Sequence, residues 1–232
     1  MCANAELKML DRLLDRYGRL VFFDLETTGL SATDDRVLEF GSTTVTRDAD
    51  GHIAAENTEF LIRHADPIPP FIAEITGLTD DILNEKGMER EEGERRIVEH
   101  VLSSPALVVA YNAHFDMSFV YAILRRFGEE SRLRAAHYLD VLTIYRDRVR
   151  DHHSLISAAQ HFGIEMKVTH HAASDAATVV SVLCAMIEEN DDVENYIDLF
   201  GIPAKYATKT DELPGITYKL QEDGGEGRLY EL

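Results

Sequence analysis

The segment Val21-Phe22-Phe23-Asp24-Leu25-Glu26-Thr27-Thr28-Gly29-Leu30 admits few structures. Three consecutive large apolar residues suit a strand buried on both faces, at the centre of a sheet. Side chains alternate along a strand, so Asp24 and Glu26 project from one face at the strand's end. Two carboxylates held together there repel each other, and partial burial raises the cost further. A divalent cation offsets that cost, and magnesium-like cations are often held by one or two carboxylates plus substrate phosphates. Thr27-Thr28-Gly29 can then turn the chain, offering backbone N–H groups and hydroxyls. Leu30 follows beside the acidic pair, placed to touch a base or to cap the core.

Around this strand the pattern predicts alternating elements. Leucines 7, 10, 13 and 14 are spaced as a packing helix over 5–17, ended by Gly18, and the first strand runs over 19–25. Residues 36–47 and 52–63 read as strands flanking the turn Asp48-Ala49-Asp50-Gly51, giving an antiparallel meander. Prolines 67, 69 and 70 keep the next segment extended; a short helix spans 72–75, Gly77 breaks it, and a helix is expected over 80–103. Ala106–Ala110 is wholly apolar and therefore a central strand. It leads into Tyr111-Asn112-Ala113-His114-Phe115-Asp116, where a helix begins near Asp116, with Phe119, Val120, Ile123, Leu124 and Phe127 inward. A strand over 136–141, a helix through Arg148, a helix capped by Ser154, and a final helix over 172–188 complete the pattern. His152 and His153 read as residues at that helix start. The organisation expected is a packing helix (1–17), a main domain (18–190), and an extension (191–232). In the extension, ITYKL and GRLYEL alternate around QEDGGE, as in a terminal hairpin or a tail that orders on a partner.

Charge first argues against a nucleic-acid partner, since the 232-residue chain carries −19. A carboxylate metal site, however, adds negative charge and still binds phosphate through its cations. The charge is also uneven: residues 125–153 hold seven arginines against five acids, a net +2. The lack of any apolar run near ~18 residues excludes a membrane span, and the start MCANAELKML lacks a signal pattern. Cys2 and Cys184 have neither metal nor disulfide spacing, so a reduced, cytoplasmic protein is expected.

Four acids then stand out, Asp24, Glu26, Asp116 and Asp175, with His170-His171 just ahead of the last. Asp116 sits at a strand-to-helix junction and Asp175 in the first turn of a closing helix. Acids so placed can converge beside one central strand, as two-metal phosphoryl transfer requires, where two cations ~4 Å apart clamp the attacking and leaving oxygens. A neutral histidine nearby can serve as general base. The two adjacent histidines are chemically alike, and composition does not separate them. His171, four before Asp175, would share its face if the helix had already begun there, but Ala172-Ala173-Ser174 leaves little room for a helix to start that early.

These motifs, FDLETTGL (Asp24, Glu26), NAHFD (Asp116) and HHAASDA (His170, Asp175), resemble those of the DEDDh, or DnaQ-like, 3′→5′ exonucleases. The epsilon proofreading subunit of bacterial DNA polymerase III belongs to this family. ITGLTDDIL (75–83) and HHSLISAAQHFGI (152–164) match secondary signatures, and the likeness covers about residues 18–188. It implies an α/β, ribonuclease H-like fold: a mixed five-stranded sheet, three strands antiparallel and two parallel, flanked by helices. It implies release of nucleoside 5′-monophosphates from 3′ ends, with two divalent cations, Mg2+ or Mn2+. Asp24, Glu26 and Asp175 would hold the tighter cation; the second would rest mainly on Asp24 and substrate oxygens, and Asp116 would act partly through water. The family spacing makes His170 the base. By position the terminal nucleotide would meet Thr27, Thr28, Gly29, Leu30, Thr76, Tyr111, Asn112 and Phe115, while His114 would be structural. The partner implied is a single-stranded or frayed DNA 3′ end, with RNA equally compatible with the residues, and a DNA polymerase subunit could dock on the tail. Two rivals stand beside a DNA enzyme: an RNA-trimming exoribonuclease, and an inactive relative that binds nucleic-acid ends or scaffolds a polymerase. The second should have lost a metal acid or the histidine, and none is lost.

Overall fold

The computed structural model describes residues 7–103, 105–166, 171–206, 212–222 and 228–232. Strand β1 (Arg19–Thr27) runs through the middle of a five-stranded sheet. It pairs antiparallel with β2 (Val37–Arg47), which pairs antiparallel with β3 (Ile53–Leu61). On its other side β1 pairs in parallel with β4 (Leu107–Ala110), and β4 in parallel with β5 (His137–Asp140). The order β3-β2-β1-β4-β5 is the expected mixed sheet. At the β2–β3 turn the Asp48 carboxylate accepts the backbone N–H groups of Asp50 and His52, both at 2.9 Å.

Strand alternation divides the core in two. Leu20 and Phe22 join Val45 and Val109 against α1 (Asp11–Tyr17), α6 (Val141–Arg148) and α8 (Ala172–Glu189). Phe23 and Leu25 join Phe40 and Phe60 against α4 (Arg90–Val101) and α5 (Ala113–Phe127). Phe22 and Phe23 are both 0% exposed, so each contributes ~1.5–3 kcal/mol of transfer free energy. Two shorter helices, α2 (Pro70–Thr76) and α3 (Asp80–Lys86), lie along the chain from β3 to α4. Between α6 and α8, α7 (Leu155–His161) is capped by Ser154, whose hydroxyl accepts the Ser157 N–H at 3.1 Å. Among the described residues no helix is long and apolar enough to cross a membrane.

Three expectations need correction. The helix expected over 80–103 is two, because the end of β3 needs partners: Met88 N donates to Leu61 O and Arg63 N to Met88 O, both at 2.9 Å. That parallel bridge between Ile62 and Met88 interrupts the helix at Gly87. The C-terminal segments do not form the expected hairpin. Strand β7 (Thr217–Gln221) instead pairs in parallel with β6 (Leu199–Pro203), and Leu229–Glu231 is a 3-10 turn. This region docks on α6: Gly201 N donates to Thr143 Oγ1 at 2.9 Å, Gln221 Nε2 to Thr143 O at 2.7 Å, and Leu229 N to Asp147 Oδ2 at 2.7 Å. Phe200 and Leu213 enter the core that also holds Phe23. Finally, three of the seven arginines of 125–153 serve the fold. Arg126 pairs with Glu94, Arg132 with Glu99 at 2.7 Å, and Arg148 donates to Met186 O at 2.7 Å.

Candidate active site

The β1–β2 register builds the centre of the site. Asp24 lies opposite Gly41 and Glu26 opposite Glu39, after which an irregularity pairs Thr27 with Val37. Gly41 leaves the space through which α8 arrives, since a Cβ there would lie 2.0 Å from Ala173 N. A strand glycine at such a close approach is a positional requirement. Ala172 and Ala176 are 0% exposed, so the first turn of α8 presses on the sheet and carries Asp175 over the end of β1. Ligand-bearing atoms of Asp24, Glu26 and Asp175 all lie within 4.8 Å of one another.

Asp116 joins them from the other side. Its helix, α5, opens after Asn112, held in the left-handed region at φ 68°, and begins at Ala113, three residues earlier than expected. Asp140 fixes this junction: its Oδ1 accepts the N–H groups of Asn112 and Ala113, each at 3.0 Å. Asp116, 2% exposed, then accepts the Leu25 N–H at 3.1 Å, next to Asp24 in the chain.

Buried Asp116 and the half-buried Asp24, Glu26 and Asp175, gathered in one place, disfavour ionisation. Burial pushes the Asp24 carboxyl well above the carboxylate range, and repulsion from Asp116, Asp175, Glu26 and Glu39 adds to it. Burial likewise raises Asp116, against the lowering effect of the Leu25 N–H. Glu26 is pushed up to about 8 by burial, then by Glu39 and Asp175. Such a convergence of hard oxygen donors fits divalent cations, whose charge offsets the repulsion.

With this geometry in view, comparison with known proteins is decisive. The family model described as Exonuclease, of ribonuclease T type, matches residues 21–183. The chain belongs to this exonuclease family. It is thus grouped with hydrolases of phosphodiester bonds. Among relatives, DNA polymerase III subunit epsilon of Treponema pallidum is 34% identical over 172 residues, covering 71% of this chain and 74% of that protein. A PolC-type DNA polymerase III of Caldanaerobacter subterraneus is 24% identical over 221 residues, but the chain spans only 15% of that polymerase. In three dimensions, E. coli exonuclease I in complex with a dT13 oligonucleotide matches with a TM-score of 0.66 and 19% identity, covering 77% of this chain and 43% of that one. A zinc-bound form of the E. coli exonuclease I–single-stranded DNA complex matches with the same TM-score, at 20% identity. The fold is accordingly the ribonuclease H-like one.

The remaining family positions fall unevenly. Thr27 and Thr28 shape the turn after Glu26: Thr27 Oγ1 donates to Gly29 O at 2.7 Å and Thr28 Oγ1 to Asp35 Oδ1 at 3.0 Å. A Cβ at Gly29 would meet the Asp35 carboxylate at 2.5 Å, so a side chain there would displace that carboxylate from the Ser31 N–H and the Thr28 hydroxyl. Leu30 is 87% exposed beyond that turn, a large apolar side chain left open to a ligand. Asn112 is exposed, and Phe115 is half-buried against Phe119, with ring centroids 5.2 Å apart. Tyr111 donates its hydroxyl to His153 O at 2.8 Å, tying the β4–α5 junction to the loop before α7. Thr76 is not available as a nucleotide contact. It is 3% exposed, donates its hydroxyl to Ile72 O at 2.9 Å and accepts the Leu78 N–H at 3.1 Å, closing α2. The exposed large apolar residues of that helix are Phe71 and Ile75.

His170 lies outside the described residues. His171 is the N-cap residue of α8, which begins at Ala172 as expected, and Gly41 and the small alanines let its first turn approach the sheet. The His171 ring faces Glu39, Nδ1 to Oε2 at 3.8 Å. His114 contacts the Tyr218 hydroxyl at 3.1 Å, and His153 Nε2 the Val149 carbonyl at 2.8 Å, both structural placements. Sequence reasoning missed Glu39, Gly41, Asp140 and Asp35. Glu39 is 1% exposed and faces Glu26, and neither of its oxygens makes a hydrogen bond of ordinary geometry. Its carboxyl is pushed up to about 7, by burial first and then by Glu59. The glycine inside an apolar strand was the one readable signal for Gly41.

Proposed function

We propose that this chain is a metal-dependent 3′→5′ exonuclease that removes nucleoside 5′-monophosphates from DNA ends in proofreading or repair. The convergence of Asp24, Glu26 and Asp175 within 4.8 Å, with Asp116 beside Asp24, carries this reading. These four residues would hold two divalent cations, Mg2+ or Mn2+. When bound, the cations supply charge neutralisation and Lewis acidity at the reacting phosphate.

The chain's own groups do the rest. The backbone and hydroxyls of Thr27–Gly29, with Leu30, Asn112 and Phe115, orient the terminal nucleotide. Water attacks the last phosphorus in line; the P–O3′ bond breaks, leaving a new 3′-hydroxyl on the shortened strand and a 5′-monophosphate as product. His170, in the segment that leads into α8, accepts the proton from the attacking water. Tight α8 packing over Gly41 keeps Asp175 from drifting, since a misplacement of ~1 Å can cost ~10²-fold in rate.

The epsilon and PolC relatives support a DNA substrate, a polymerase III partner and a cytoplasmic location. The partner surface belongs to the docked C-terminal region. The test is incubation of 5′-labelled single-stranded DNA and RNA with magnesium, manganese or chelator. A ladder that shortens from the 3′ end and vanishes with chelator is expected, faster on DNA. Chelator-resistant cleavage, or shortening from the 5′ end, overturns the reading; a clear preference for RNA makes this an RNA-trimming enzyme.

A further inference from the structure

Beside the turn that follows Glu26, a cleft of about 500 Å³ is lined by Arg36, Arg63, His64 and Arg90 together with Asp66 and Glu89. Its arginines come from the start of β2, the end of β3 and the start of α4, so they are far apart in the chain and together only in the fold. On a chain of net charge −19, three converging guanidinium groups are out of character.

The cleft is built onto the candidate active site. Arg36 N donates to Thr28 Oγ1 at 3.0 Å, and Thr28 N to Arg36 O at 2.9 Å, so Arg36 is laced to the turn two residues beyond Glu26. His64 holds the adjoining backbone through the Val37 carbonyl at 2.7 Å. Arg36 and Arg63 are better fixed than the acids they meet, while Arg90 is anchored by the buried Glu94 at 2.8 Å. The Arg36 side chain is 17% exposed and its partner Asp66 74%; Arg63 is 37% exposed and its partner Glu89 71%. Arg36 Nε is buried without a hydrogen-bond partner, a charged donor with no acceptor. Exposed acids on flexible side chains make weak pairs and yield readily to a better anion. A phosphodiester is such an anion, because its oxygens match the guanidinium fork.

We propose that this cleft binds the sugar-phosphate backbone of the substrate strand on the 5′ side of the nucleotide being removed. It extends the site beyond the terminal nucleotide and gives an acidic protein a local grip on a polyanion. The inference rests on the exonuclease reading above.

The experiment compares two substrates: a single-stranded DNA 12-mer, and the p-nitrophenyl ester of thymidine 5′-monophosphate, which has no upstream phosphate. For the double variant Arg63→Gln/Arg90→Gln, KM for the 12-mer should rise about tenfold, and the slope of log KM against log salt should fall by ~1.4, or ~0.7 per lost contact. Turnover of the ester should stay within about twofold, a barrier change too small to involve the reacting atoms. Glu89→Gln removes a competing exposed acid and should lower the 12-mer KM several-fold; it decides the matter if the double variant does not fold. Equal losses on both substrates, an unchanged salt slope, or a Glu89→Gln enzyme that binds the 12-mer no better would overturn the cleft alone. A wild type inert on both substrates overturns the exonuclease reading and the cleft with it.

Discussion

The crowded carboxylates make a stability prediction that needs no substrate. Glu26 has an ordinary carboxyl value of 4.5 and is pushed up to about 8 in the folded protein. Below about pH 4.5 it is protonated in both states and costs nothing. As pH rises toward 8 the unfolded chain releases this proton first, so the folded state loses relative stability through that window and no further above it. At 1.36 kcal/mol per pKa unit, the penalty at pH 7 is roughly 3 kcal/mol as an upper bound. The side chain is partly open to solvent, and relaxation with water entry brings the working figure to about 2 kcal/mol. Glu26→Gln keeps the shape and removes the charge. In chelator at pH 7 it should melt about 4–8 °C above the wild type, at ~2–4 °C per kcal/mol for a chain of this size. At pH 4.5 the two should coincide. Half-buried His100, lowered to about 4, and His64, also lowered by burial, have the opposite sign: they favour the folded state as pH rises through the histidine range. They act equally in both proteins and cancel in the difference. Magnesium should raise the wild-type melting temperature more than the variant's, because the cation binds the ionised folded cluster. Scanning calorimetry from pH 4.5 to 8.5, with and without chelator, makes the measurement. A difference that does not grow with pH refutes the reasoning.

Other tests address single features. Asp24→Asn and Asp175→Asn should abolish hydrolysis of labelled DNA while melting no lower than the wild type in chelator; retained wild-type rates would remove that residue from the site. Gly41→Ala has no room beside Ala173 and should cost ~1–3 kcal/mol by overpacking, with a larger loss of activity because α8 carries Asp175; denaturant titration and a rate assay read both. Deleting 199–232 strips Phe200, Leu213 and Leu229 from the core and should unfold or severely destabilise the domain, whereas a cooperative melt near the full-length value would make this region a detachable tail. His170→Ala should slow hydrolysis at least ~10²-fold at saturating metal, as for a lost general base. His171→Ala should stay within about tenfold, under ~1.4 kcal/mol of barrier; the reverse pattern would move the base one residue along.

Legibility followed the range of the interactions. Asp24 and Glu26 could be read because strand alternation is local, and Asp175 because an acid in the first turn of a helix is. What β1 faces is not local. Glu39 sits in a strand whose neighbours are buried on both sides, and only the register, with its shift after Glu26, places its carboxylate against that of Glu26. Gly41 follows the same logic, as its meaning depends on which helix crosses it. The break at Gly87 arises from unpaired backbone groups at the end of β3, some 25 residues earlier, which periodicity within the helix does not carry. The C-terminal strand was legible as a strand, but its partner was not. Alternation in Thr217–Gln221 fits a hairpin as well as a parallel pair, and the choice is made by Thr143, whose hydroxyl and carbonyl take Gly201 N and Gln221 Nε2. Charge shows the contrast most plainly. Of the arginines adjacent in sequence, at 125–153, Arg126, Arg132 and Arg148 hold helices together, while Arg36, Arg63 and Arg90, separated by about thirty residues each, share one cleft beside the turn after Glu26. An electrostatic footprint is a property of the folded surface, so a window along the chain finds it only when one element supplies all the charge.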